Sequence, residues 1–155
     1  MTPTEYADAY QNGAKLLRDA VQGMTREQLL ARPVPGKWST LEVVAHLADF
    51  DTVLSDRILL IAAVEKPTLQ AADENDFAAH LGYQERDLGE ELAVIDAVRA
   101  KTARVIRGLK SEQLARTGMH PVRGELTLER IIQMATKHIP NHIKFIEDKR
   151  KALGL

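Results

Sequence analysis

Two histidines one helical turn apart, His138 and His142, form the pattern in this sequence that is best suited to chemistry. Residues 136–146 follow a helical pattern, so the two side chains share one face with about 6 Å between their Cβ atoms. This spacing lets one helix offer two imidazoles to a single metal ion. The same pair also occurs as two surface or partly buried histidines that bind no metal, and the spacing alone leaves both interpretations open.

A third imidazole would complete a metal site, and His46 is the best candidate because it also lies in a long helical pattern. The two other histidines, His80 and His120, fall in segments that are predicted to be connections. Three nitrogens carried by helices leave a fourth metal position open for water or substrate, which is typical of a catalytic site rather than a structural one.

The composition excludes several kinds of chemistry. The chain has 155 residues, of which 45% are hydrophobic and 28% charged, and it is predicted to form a single domain over residues 1–155. It has 21 basic and 22 acidic side chains, which give a net charge of −1. This charge does not favour binding to nucleic acid or to an anionic membrane. It contains no cysteine. A metal site here must therefore use histidine and carboxylate ligands, and neither disulfides nor a cysteine nucleophile are available.

The location expected from the sequence is cytoplasmic. The longest strongly apolar run, residues 58–64, is too short to cross a bilayer. The N-terminal residues also lack the apolar core of a signal peptide.

Four long amphipathic helices are predicted to position the histidines, because apolar side chains recur at steps of three and four residues. Their predicted ranges are 4–24, 40–64, 84–109 and 128–153. Two short helices are predicted over 25–31 and 111–116, while residues 67–83 are interpreted as a long connection with at most one helical turn near 76–80. A further loop contains His120, Pro121 and Gly124. The fold class is therefore all-α, with two similar halves of helix, short helix and helix.

The offsets of the histidines from the apolar stripes of their helices predict a shared cleft. His46 lies to one side of its stripe, and His138 and His142 lie on the same side of theirs. Pro140 stands between the last two. Inside a helix it removes one backbone hydrogen bond and clashes with the carbonyl of Thr136, costing about 3 kcal/mol and usually leaving a kink. Such a kink would either aim the two imidazoles or spoil their alignment.

Three charged residues near the predicted core are expected to remain in contact with solvent. Arg99 falls on the apolar stripe of its helix, and snorkelling past the end of the core is favoured over pairing with a carboxylate or a substrate anion. Asp49 and Asp51 are expected to be solvated. Trp38 is expected either to form the wall of a pocket or to anchor the entry of the second long helix.

The sequence resembles the DinB-like superfamily at Trp38-Ser39-x-x-Glu42-Val43-x-x-His46-Leu47, at Gly124-x-x-Thr127 and at His138-x-x-x-His142. The resemblance covers nearly the whole chain. It implies a four-helix bundle, here with long connections and two short extra helices, that holds a divalent metal, commonly zinc or nickel, through His46, His138 and His142. Proline between the last two ligands departs from the family pattern. Relatives include S-transferases and isomerases that use low-molecular-weight thiols, as well as metal-dependent hydrolases.

Thiol S-transfer to a small molecule is the function that the sequence favours. A divalent ion can lower the pKa of a bound water to about 7 or hold a thiol as thiolate, and so supply the nucleophile that this chain lacks. A soft thiolate competes well with hydroxide for zinc, so a low-molecular-weight thiol is the expected co-substrate. The alternatives are a metal-dependent hydrolase and a metal-binding or structural bundle without catalysis.

Glu42 is the candidate catalytic base, because it lies one turn before His46. The favoured interpretation of Glu42 is nevertheless that of a first-turn acid that suits the helix dipole, without a part in the chemistry. A homodimer with helices side by side is also expected, as among the family relatives. Val94, Val98 and Val105, which lie outside the main apolar stripe of the third long helix, would give it a surface.

Overall fold

Six α-helices and one β-hairpin make up the chain in a computed structural model of residues Met1–Leu155. The four long helices are α1 (Pro3–Val21), α3 (Thr40–Ala63), α5 (Leu88–Arg107) and α6 (Leu128–Ala152). The two short ones are α2 (Arg26–Leu30) and α4 (Glu74–His80), and two 3₁₀ turns cover Tyr83–Glu85 and Ser111–Ala115. The predicted all-α class and four-helix bundle are confirmed. None of the helices is long and apolar enough to cross a membrane.

Side-chain caps start four of the helices within one residue of their predicted first positions. Ser39 accepts a hydrogen bond from the backbone N–H of Glu42, and the Glu42 carboxylate accepts one from the backbone N–H of Ser39. Thr2 and Thr25 form the same reciprocal box at α1 and α2, and Thr127 caps α6. Each box satisfies donors that a helix N-terminus would otherwise leave without partners.

In the bundle α1 lies diagonally opposite α3, and α5 lies diagonally opposite α6. α1 and α3 each pack against both α5 and α6. The buried apolar side chains form two main clusters along the bundle. One of them includes Val43, Leu47 and Ile139, which flank His46 and His138 in the chain. The face of α3 that carries His46 is therefore held against α6, the helix that carries the other two histidines.

The loop predicted around His120 is instead a β-hairpin. β1 (Thr117–His120) pairs antiparallel with β2 (Gly124–Thr127). Gly124 has φ +75°, a left-handed conformation that glycine adopts without strain. Gly118 lies so close to Ile61 that a Cβ there would be 2.8 Å from the Ile61 side chain. Strands of four residues carry too little alternation to stand out in the sequence.

The connection between α3 and α5 is more ordered than predicted, because it contains α4 and is tied to the hairpin. The backbone N–H of Met119 donates to the carbonyl of Pro67, and that of Leu69 donates to the carbonyl of Met119. Asp73 caps α4 by accepting from the backbone N–H of Asn75. The first two bonds fix the connection to the hairpin, the third starts α4, and α4 packs against α3.

The expectation that Arg99 snorkels and that Asp51 is solvated is wrong, because the two form a fully buried ion pair. Arg99 Nη2 lies 2.8 Å from Asp51 Oδ1 and 3.2 Å from the carbonyl oxygen of Ala135. Its guanidinium also donates to the carbonyl of Tyr10. One side chain of α5 thus bonds to α1, α3 and α6. Asp49 is also paired, with Arg86. Spacing along one helix cannot reveal a partner on another, and pairing is what makes the burial of these charges tolerable.

Candidate metal centre

The three histidines predicted as ligands meet at one point between α3 and α6. One ring nitrogen from each of His46, His138 and His142 lies within 4.8 Å of the other two. His46 Nε2 and His138 Nε2 are 3.1 Å apart. His46 has 0% of its surface exposed, and the other two are partly buried. The centre therefore lies at the edge of the core, open toward one side.

Pro140 does not interrupt the helix that carries two of these histidines. α6 runs without a break from Leu128 to Ala152. The rings of His138 and His142 have centroids 4.9 Å apart in an edge-to-face arrangement. Both also face the His46 ring, with centroids 5.0 Å and 4.7 Å away.

The imidazoles are held in their neutral form. Burial, with a smaller effect of His142, lowers the pKa of His46 to about 3. Burial and the two neighbouring histidines lower the pKa of His138 to about 3 as well. The pKa of His142 is also lowered, by burial and then by Lys149. At neutral pH each ring therefore has one nitrogen lone pair free for a ligand bond.

The donor set fits a divalent ion. Metal–nitrogen bonds of 2.0–2.1 Å in a tetrahedral site imply about 3.3 Å between two ligand nitrogens, close to the 3.1 Å between His46 and His138. A hydrogen bond between two rings could also give that distance, but it would leave no role for the nitrogen of His142. All three Nδ1 atoms are buried without a hydrogen-bond partner. Packing must therefore set the ring orientations, and the rings of Trp38 and Phe50 lie 5.3 Å and 4.7 Å from that of His46.

Glu42, the predicted base, has both carboxylate oxygens engaged. Arg32 donates to them over 3.0 Å and 2.6 Å, and the backbone N–H of Ser39 donates over 2.6 Å. Burial would raise the pKa of Glu42, but the bonds from Arg32 and Ser39 outweigh it and lower the pKa. Its part in catalysis stays a prediction, and its contacts are those of a group that orients the start of α3.

Glu74 is a carboxylate at the centre that sequence reasoning missed. Its Oε2 lies 3.7 Å from His46 Nε2, and its side chain is 53% exposed. It occupies the first position of α4, inside the segment interpreted as a connection. The acidic run of residues 73–76 was the signal for a helix start there, but no local pattern relates that segment to His46.

A cavity of about 390 Å³ opens beside the histidines. The wall of the cavity includes His142 and Glu74. Trp38 also lines it, which is one of the two roles predicted for this residue. The other lining residues are Val34, Gly36, Lys37, Val43, Asn75, Phe145, Asp148 and Lys149. A volume of this size suits a small organic molecule.

The two remaining histidines lie outside the cluster, as the sequence predicts. His80 is exposed at the end of α4, and its Nδ1 is 2.9 Å from the carbonyl oxygen of Asp76. His120 is buried in β1, where its Nδ1 accepts hydrogen bonds from the backbone N–H groups of Val122 and Arg123. Each is thus committed to local structure.

The sequence pattern of the DinB superfamily matches residues 9–146. The chain is 26% identical over 149 residues to OB0782 of Oceanobacillus iheyensis, named a "putative metal-dependent hydrolase", with 95% of this chain and 86% of that protein covered. It is 28% identical over 139 residues to YfiT of Bacillus subtilis, which carries the same description, with 89% of this chain and 78% of YfiT covered.

Two solved structures have the same fold. YfiT, described as a probable metal-dependent hydrolase with an unusual four-helix bundle topology, superimposes with a TM-score of 0.90 at 25% identity, covering 98% of this chain and 87% of that one. A mycothiol-dependent maleylpyruvate isomerase has a TM-score of 0.71 at 10% identity, covering 93% of this chain and 60% of that one. The second likeness concerns the fold alone.

Proposed function

Because this chain belongs to the DinB superfamily, we propose that it is a metal-dependent hydrolase of a small molecule, with His46, His138 and His142 as the ligands of a zinc or nickel ion. The observation that carries this proposal is the convergence of three neutral imidazole nitrogens beside a cavity of about 390 Å³. The descriptions of OB0782 and YfiT as metal-dependent hydrolases support the same reaction class.

The chemistry that a bound divalent ion supplies is Lewis acidity, which polarises a carbonyl or phosphoryl oxygen and makes a water molecule easier to deprotonate. The protein's own part is to position and to move a proton. Glu74 lines the cavity with a half-exposed side chain, and its Oε2, 3.7 Å from His46 Nε2, would take the proton of the attacking water. Trp38 and Phe50 pack around the His46 ring and keep bulk water away from it.

Glu42 takes a positioning role in this proposal. Its carboxylate joins Arg32 to the backbone N–H of Ser39 at the start of α3, one turn before His46. Loss of these bonds would loosen the helix turn that carries the His46 ring. The effect on the reaction would then come through the geometry of the centre rather than through proton transfer.

Thiol S-transfer, favoured by the sequence, is the second candidate. The observation that favours S-transfer is that all three candidate ligands are neutral imidazoles. Such ligands leave the charge of a metal ion uncompensated, which favours an anionic partner such as the thiolate of a low-molecular-weight co-substrate. Hydrolysis ranks first because Glu74 offers a proton acceptor beside the histidines and because the curated relatives are described as hydrolases.

The metal site is tested by elemental analysis of protein purified without a histidine tag. His46→Ala, His138→Ala and His142→Ala should each lose bound zinc or nickel. His80→Ala and His120→Ala are the matched controls and should keep it, because both residues lie outside the cluster. Full metal content in the His46→Ala protein would refute the proposed ligand set.

The reaction is tested with the metal-loaded protein on a panel of small esters and amides, in parallel with an assay of thiol consumption by electrophiles. Glu74→Gln should lower hydrolysis by about 10²-fold or more while leaving the metal content unchanged. Glu42→Gln serves as the comparison and should have the smaller effect. Thiol consumption without hydrolysis would reverse the ranking, and inactivity in both assays would favour a metal-binding bundle without catalysis.

A further inference from the structure

Lys149 is a buried cation without an anionic partner. Only 3% of its surface is exposed, and its Nζ donates to the carbonyl oxygen of Phe145 over 3.0 Å. No carboxylate oxygen lies within 4.0 Å of this nitrogen. Arg99, a fully buried cation on α5, has Asp51 as its partner. Two of the three N–H donors of Lys149 thus remain uncommitted.

A buried lysine without an opposite charge beside it lowers the stability of the fold. Removing an ammonium group from water is unfavourable unless an opposite charge compensates for it, and a methionine would fill the same space without that cost. Burial lowers the pKa of Lys149, with opposing effects from Asp148 and Glu42 and a further lowering by Lys37. An anion beside Nζ would relieve the unfavourable burial.

The place of Lys149 shows where such an anion would lie. It follows His142 by seven residues on α6, two helical turns further along the same face, which is roughly 10 Å along the helix axis. Both residues line the cavity of about 390 Å³. Phe145 lies between them on the same wall, and Trp38 also borders the space. The cavity therefore extends from His142, one of the three clustered histidines, past the side chains of Phe145 and Trp38 to the buried positive charge of Lys149.

The chemistry of the cavity limits the kind of anion. Lys37 is a second, exposed cation of the wall, and no arginine lines it, so the planar fork that favours bidentate phosphate binding is missing. Glu74 and Asp148 also line the cavity and would repel a doubly charged group. A singly charged carboxylate fits the two uncommitted donors of Lys149.

We propose that Lys149, assisted by Lys37, forms a carboxylate-binding subsite for the substrate, which is a small carboxylic acid with an apolar or aromatic body. The body lies along Trp38 and Phe145, and the bond to be broken lies toward the three histidines. This assignment of substrate class rests on the proposed function, but the subsite itself uses no metal.

Trp38, the only tryptophan in the chain, provides the test because it lines the same cavity. Its fluorescence is followed while the purified full-length protein is titrated with phenylacetate and, separately, with the uncharged phenylacetamide. Each titration is run on chelator-treated and on zinc-loaded protein. The wild type should bind phenylacetate about tenfold or more tightly than phenylacetamide in both states, because the carboxylate gains charge-assisted hydrogen bonds.

Lys149→Met should abolish this preference, while Lys149→Arg, which keeps the charge, should retain most of it. Lys144→Met, on an exposed position of the same helix, is the matched control and should behave as the wild type. Equal binding of the two probes, no response to phenylacetate at millimolar concentration, or an unchanged preference in Lys149→Met would each overturn the subsite. So would a preference seen only with zinc, because the carboxylate would then bind the ion. A preference that persists in chelator-treated protein supports the subsite even if the metal-site tests fail.

Discussion

Removing the carboxylate of Asp51 is expected to destabilise the whole bundle, because its partner Arg99 connects all four long helices. The Arg99 guanidinium is fully buried and bonds to Asp51, to the carbonyl of Tyr10 and to the carbonyl of Ala135. It also lies over the Tyr10 ring at 4.4 Å from the centroid. In Asp51→Ala, the two guanidinium donors that face the carboxylate lose their acceptors in a site that water does not reach.

The expected loss in the free energy of unfolding is about 3–5 kcal/mol, the typical effect of leaving one member of a buried ion pair without its partner. The pair itself is not expected to be a large net stabiliser. Burial raises the pKa of Asp51, and the attraction of Arg99 offsets this only in part. The double variant Asp51→Leu, Arg99→Met should therefore recover most of the lost stability, since it removes both buried charges and keeps similar volume.

The measurement is urea unfolding of chelator-treated protein followed by circular dichroism. Asp96→Ala is the matched control, because Asp96 pairs with Arg18 on the surface, where the side chains are 42% and 48% exposed. That change should cost less than about 1 kcal/mol. An Asp51→Ala protein as stable as Asp96→Ala, or a double variant less stable than Asp51→Ala, would refute the reasoning.

Four further expectations concern the helices and the histidines. Gly13→Ala should destabilise the fold, although alanine normally favours a helix by about 1 kcal/mol, because the new Cβ would meet Arg99 Nη1; an unfolding midpoint at or above that of the wild type would contradict this. Pro140→Ala should raise stability by up to about 3 kcal/mol and weaken metal binding, because the proline is expected to aim the two imidazoles; calorimetric titration showing tighter binding would refute this. Chelator-treated protein should lose stability as pH falls below about 6.5, by about 1.4 kcal/mol per pH unit for each of His46 and His138. Both histidines have a pKa near 3 in the folded state, against the ordinary 6.5 in the unfolded chain, so the unfolded chain takes up protons first as the pH falls. Urea midpoints that do not change between pH 6.5 and 5 would refute this. The chain should sediment as a dimer at micromolar concentration through a face of α5 that carries the exposed Val94 and the partly buried Val98 and Val105, and a monomeric mass would exclude this.

Local patterns in the sequence were sufficient to predict the four long helices and to select the three histidines that lie together. Apolar residues at steps of three and four, with Ser39 and Thr127 as caps, are properties of a single helix and can be read without knowing its neighbours. The one-turn spacing of His138 and His142 is local in the same sense. His46 could be added because it shares the same offset from an apolar stripe, and the structure brings its ring to the other two.

The groups around the histidines were decided by the tertiary structure. Glu74 reaches His46 only because the connection after α3, which is bonded to the hairpin at Pro67 and Leu69, brings α4 back against α3. The polar sequence of that segment has no period that relates it to another helix. Lys149 shares a face with His142, but its lack of a partner depends on which side chains the neighbouring elements present. Arg99 and Asp51 pair across two helices whose order and tilt no single-helix pattern contains. Contacts between distant segments depend on how the helices pack, and a periodic pattern records only which face of each helix is buried.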